Sequence, residues 1–109
     1  MRIISIPVVL IALLGVTNAA SAQQLESIEL ARNSGDLIAS ENFCNLEYDQ
    51  GAIAAFIAKN VRADDMGFAS TLELMTEGAK DQLKELSASA KTAHCAQTAR
   101  VARSYGFIK

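Results

Sequence analysis

Leu25, Ile28, Ala31, Gly35 and Ile38 recur three or four residues apart, so they share one stripe of a helix and predict a first helix over about Leu25 to Ser40. The run Asn33-Ser34-Gly35 is expected to weaken its middle. A connector from Glu41 to Tyr48 follows, carrying Phe43 and Cys44. Asp49 suits the N-cap of a second helix ending near Asn60, with Ile53, Phe56, Ile57 and Val61 as its expected buried face. Asp64 is the expected cap of a third helix, Asp65 adding acid to its first turn. Its stripe is Phe68, Leu72, Met75, Ala79, Leu83 and Leu86, with Gly78 inside the pattern; Met66 and Met75 read as core packing. Ser87 or Ser89 opens a fourth helix to about Ser104. Gly106 is placed for a left-handed cap, after which Phe107-Ile108 should fold back onto the bundle. The fourth helix repeats alanine at 88, 90, 93, 96, 99 and 102, and small side chains allow close approach, so this helix is expected at the centre. No stretch alternates apolar and polar with period 2, and residues 23–109 hold no proline. The prediction is an all-α chain, a small four-helix bundle forming one domain.

The first 22 residues have a different pattern. Met1-Arg2 is a short positive start, Ile3 to Val16 is an apolar run broken only by Ser5, Pro7 and Gly15, and a small-residue tail ends in an A-x-A pattern at Ala22. That order predicts a secretory signal peptide over 1–22, cleaved after Ala22, and a mature domain over 23–109. The run is shorter than the about 20 apolar residues a membrane span requires, and no second such segment follows, so no stable membrane anchor is expected after cleavage.

Composition sharpens this picture. Of the 87 residues from Gln23 on, 40 are apolar, but 15 of these are alanine and only 21 are Val, Ile, Leu, Met or Phe. So thin a core favours a covalent staple. Two cysteines, Cys44 and Cys95, in an exported chain predict one disulfide, worth roughly 4 kcal/mol by the chain-entropy estimate. The absence of a lipid-attachment cysteine at the cleavage site and of any N-x-S/T acceptor favours a bacterial exported protein, periplasmic in a Gram-negative cell.

Charge is uneven. Residues 23–109 carry 12 acidic and 9 basic side chains, a balance that gives no reason to expect nucleic acid. All the acids lie before residue 86, and Lys91, Arg100, Arg103 and Lys109 follow without one. Pairing with acidic neighbours and with the helix C-terminal dipole accounts for this run most simply; the alternative is an interaction surface for an anionic partner at Lys91, Arg100 and Arg103.

Candidate chemistry is sparse. His94 is the single histidine, and its neighbour Cys95 points to a different helical face, so a Cys–His dyad is not expected. Its helical neighbours are Thr98, Val101 and Tyr105, and a partly buried, hydrogen-bonded histidine is the simplest reading. One histidine without a C-x-x-C excludes the usual zinc patterns, and Asp64-Asp65 and Glu47-x-Asp49 are explained by capping. No phosphate loop, nucleophile elbow or aromatic platform occurs. The expectation is no catalytic residue, no metal and no cofactor.

Phe43-Cys44 with Tyr48-Asp49, Asp64-Asp65-Met66, Ala93-His94-Cys95 and Tyr105-Gly106-Phe107 resemble the small exported two-cysteine helical proteins of alphaproteobacterial type. That resemblance implies an exported helical domain and no particular activity. In size and in its Cys44…Cys95 frame the chain is also similar, more loosely, to the HdeA-type periplasmic acid-stress chaperones. Three functional expectations follow: a non-enzymatic interaction protein, adaptor or stress-related factor, with a protein partner; an acid-activated holdase; and an immunity or inhibitor protein.

Overall fold

The computed structural model describes residues 19–109, and the expected leader up to Asn18 lies outside the described residues. Among the described residues there are four helices and no strand: α1 (Ala19–Phe43), α2 (Gln50–Asn60), α3 (Phe68–Leu83) and α4 (Ala88–Ser104). The all-α bundle and its staple are as expected. Cys44 and Cys95 form a disulfide with Cα atoms 5.4 Å apart, closing a sequence separation of 51.

The central helix is α1, not the alanine-rich α4. Two sides of α1 are covered. Leu37 joins Tyr48, Ala102 and Phe107 in one buried cluster, and Ala39 joins Ala79 and Leu83 in another, with Phe43 packed against it. The close approach expected of α4 belongs to α1 and α3. A Cβ added at Gly35 would lie 3.0 Å from the Thr76 backbone nitrogen and 3.1 Å from the Met75 Cβ, so the helices meet closely where glycine leaves room. Ala31, Ser34 and Ala39 on α1 and Thr76 and Ala79 on α3 are the buried small residues of this contact. Asn33-Ser34-Gly35 therefore does not break α1, because packing of the crossing outweighs the helix cost of one glycine, about 1 kcal/mol. Leu25, by contrast, is 67% exposed and leaves the predicted stripe.

Both α1 and α4 end in the same way. Asn45 takes a left-handed φ of 53°, and Leu46 N–H donates to the Glu41 carbonyl at 2.8 Å. Gly106 takes φ 77°, and Phe107 N–H donates to the Ala102 carbonyl at 2.9 Å. Each is a left-handed cap with a six-to-one hydrogen bond, followed by a residue that turns into the core. Phe107 is buried as predicted and forms an aromatic cluster with Tyr48, Phe56 and Tyr105.

Caps were partly legible. Asp49 accepts from Ala52 N–H at 3.2 Å and Ser87 from Ala90 N–H at 3.2 Å. Asp64 does not cap α3, which begins after Gly67 without a side-chain cap. Asp64 pairs instead with Arg62 at 2.9 Å, and Asp65 accepts from the Ser27 hydroxyl at 2.6 Å. On α3, Phe68, Ala79 and Leu83 are buried as expected, while Thr76 occupies a core position the stripe assigned to larger side chains; Met66 is 87% exposed and lies outside the core. No residue of α2 is fully buried, although Ile53 and Phe56 rest against the Leu37–Tyr48–Phe107 cluster.

Candidate functional site

The densest arrangement of reactive side chains surrounds His94, where α4 crosses α1 beside the disulfide. Cys44 and Ser40 are four residues apart at the end of α1, on one helical face. The disulfide holds that face against α4 and brings His94, the neighbour of Cys95, to Ser40. His94 Nε2 lies 2.8 Å from Ser40 Oγ and 3.3 Å from Thr98 Oγ1. The Phe43 ring meets the imidazole edge-on, with centroids 6.4 Å apart.

The proton count assigns the direction of the Ser40–His94 bond. Ser40 has a single hydroxyl proton, which it donates to the Asp36 carbonyl at 2.7 Å. Its oxygen therefore accepts from His94, and Nε2 carries a hydrogen. A serine poised for nucleophilic attack requires the reverse, with Nε2 bare and taking the serine proton. Ser40 is also fully buried. Ser40–His94 thus works as a polar tie between α1 and α4. Cys95 is in the disulfide and forms no dyad with His94.

Shallow grooves flank this tie. One, of about 260 Å³, lies among α1, α3 and α4 and is lined by Asp36, Ser40, Gln82, Leu86 and His94. The other, of about 280 Å³, runs along α1 and α4 past Asn33, Asp36, Gln97, Thr98, Val101 and Tyr105. The sequence-predicted neighbours Thr98, Val101 and Tyr105 do share His94's surroundings. Ser40 was missed, although a Cys44–Cys95 bond places the residue one turn before Cys44 close to residue 94. Among the described residues, no three His, Cys, Asp or Glu side chains converge to hold a metal ion.

Tyr48 is the strongest polar anchor of the core. Its hydroxyl donates to the Leu37 carbonyl at 2.8 Å, and its backbone N–H donates to Glu41 Oε2 at 2.6 Å. Burial, reinforced by the Glu41 carboxylate, pushes its phenol up to about 12. The Asp49 N–H donates to the Phe107 carbonyl at 2.8 Å, tying the start of α2 to the C-terminal turn.

The three predicted cations do not form one surface. Lys91 Nζ stands 4.6 Å from the centroid of the Phe43 ring. Arg100 Nη1 donates to Gln97 at 3.4 Å, and Arg103 occupies the last turn of α4. Arg100 and Arg103 lie on adjacent faces, whereas nine residues of helix turn Lys91 half a revolution from Arg100, about 13 Å along the axis.

No family model, curated protein or solved structure matches this chain. Among the described residues no helix is long and apolar enough to cross a membrane.

Proposed function

We propose that the chain is exported, processed after Ala22, and acts by binding another protein rather than by catalysis, as an adaptor or stress-related factor. The observation that carries this reading is α2. Its eleven residues, QGAIAAFIAKN, are apolar apart from the ends, yet none is fully buried, and Ala54, Ala55 and Ala58 face solvent. A helix of this composition normally buries a broad stripe. Here Ile53 and Phe56 rest against the core on one side, and Ala54, Ala55 and Ala58 present an apolar side outward. The disulfide supports export, since such bonds persist in oxidising compartments. The likeness to small exported two-cysteine proteins of alphaproteobacterial type points the same way.

Crosslinking in periplasmic extract, run in parallel with the wild-type chain and an Ala55→Glu/Ala58→Glu variant, tests the reading. A partner captured by the first and lost with the second is the expected result. Identical capture by both, or turnover of a defined substrate, would reject it.

A second reading, an acid-activated holdase of the HdeA type, has its own support. Glu41 accepts from the Tyr48 N–H and Asp49 from the Ala52 N–H, so carboxylates border the Leu37, Tyr48 and Phe107 cluster where α2 begins. Light scattering of an aggregating client at acid pH decides it: no suppression by equimolar protein excludes the holdase.

A further inference from the structure

We propose that the processed chain is closed at its N-terminus as a pyroglutamate, formed on Gln23 while Arg62 holds the side-chain carbonyl oxygen. The inference rests on cleavage after Ala22, which makes Gln23 the first residue of the mature protein.

The first turn of α1 beyond that point is docked on the segment between α2 and α3. Gln23 and Ser27, four residues apart, face the same way. Arg62 Nη1 donates to Gln23 Oε1, and Ser27 Oγ donates to Asp65 Oδ2 at 2.6 Å. Arg62 is itself fixed by Asp64, through Nε to Oδ1 at 3.1 Å and Nη2 to Oδ2 at 2.9 Å. The guanidinium is thus aimed at one atom of the glutamine amide, its oxygen. Among the described residues no hydrogen bond engages Gln23 Nε2.

This selection matters for the chemistry. Once cleavage frees the α-amino group, its nitrogen attacks Cδ of the same residue and the N–Cδ bond closes a five-membered lactam. The Cδ–Nε2 bond breaks and Nε2 departs as ammonia, with the protons redistributed through water; nothing is oxidised or reduced. Negative charge develops on Oε1 as the amine adds, and that is the atom on which Arg62 sits. The departing nitrogen is the unheld one, and the oxygen survives as the lactam carbonyl. The alternative, a free α-ammonium, would place positive charge at the positive end of α1 and beside Arg62.

The test is to express the full chain in a Gram-negative host, purify the exported protein, and locate the N-terminus by mass spectrometry with fragmentation of the undigested protein. The expected species begins at Gln23 and is lighter by one ammonia at that residue. In an Arg62→Met variant, checked for native helicity, cyclisation of freshly processed protein should be roughly threefold slower. A Gln23 amine that persists on prolonged incubation overturns the proposal, as do equal rates in the two proteins. A chain that is uncleaved or cut elsewhere refutes the processing step instead.

Discussion

Replacing Gly35 by alanine and Gly78 by alanine should move stability in opposite directions. Both glycines lie inside helices, and on propensity alone each substitution gains about 1 kcal/mol. At Gly78 the added Cβ meets nothing within 4 Å, so the gain is realised and Gly78→Ala should stabilise by about 0.5–1 kcal/mol. At Gly35 the same carbon would sit 3.0 Å from the Thr76 nitrogen, 3.1 Å from the Met75 Cβ and 3.2 Å from the Met75 carbonyl carbon. Two of these are helix backbone atoms, which cannot rotate aside as a side-chain end can. Forcing α1 and α3 apart costs about 1–3 kcal/mol as overpacking, which offsets the propensity gain and leaves Gly35→Ala net destabilising by roughly 1 kcal/mol. The two variants should therefore differ by about 2 kcal/mol, with each kcal/mol shifting Tm by about 4–8 °C in a domain of this size. Thermal and urea unfolding followed by circular dichroism at constant oxidation state measures this directly. A Gly35→Ala protein that melts at or above wild type would show that α1 and α3 do not pack backbone to backbone at this point.

Three further outcomes follow. Removing the staple in a Cys44→Ala/Cys95→Ala variant should cost about 4 kcal/mol for its 51-residue separation, read as a fall in the urea midpoint; an unchanged midpoint would contradict this. In a Tyr105→Phe variant Tyr48 is the single tyrosine, and its ultraviolet titration should centre near 12. Because the folded value lies above the ordinary 10, the stabilisation Tyr48 contributes is complete below pH 10 and is lost as pH rises toward 12, so unfolding free energy should decline across that window; a phenol titrating near 10 in the folded protein would refute its burial. Asn45→Ala should destabilise by about 1 kcal/mol, since alanine tolerates a φ of 53° less well than asparagine, whereas Asn45→Gly should not; equal melting of the two would dismiss the left-handed cap.

Much of the architecture could be read from local chemistry. Asp49 and Ser87 were legible as caps because each precedes a run of helix formers, and Gly106 was legible because only a left-handed turn explains glycine before Phe107. Asp64 misled because α3 begins only at Phe68, after Gly67, which leaves Asp64 outside the helix and paired with Arg62 at the surface. Alanine content alone does not mark the helix of closest approach. Glycine and serine on α1 bring the backbones nearer, and that depends on what stands opposite, which no single segment encodes. The tie at His94 was half visible. Thr98 follows from helical spacing, but Ser40 lies 54 residues away and is reached only through the covalent frame. The outward apolar side of α2 could not be foreseen, since its composition predicts burial.

The disulfide also determines what force can do to this molecule. Tension applied between the two ends of the chain runs along α1 to Cys44, crosses to Cys95 and leaves through the last turns of α4. The segments between, α2 and α3 included, hang from that line as a closed loop and are shielded from the pull. With the bond intact, roughly 170 Å of contour, the extended length of 51 residues, stays unavailable to stretching. Reduction releases that hidden length in one step, so the same cystine that limits the entropy of the unfolded chain also sets how far the protein can be drawn out before it breaks.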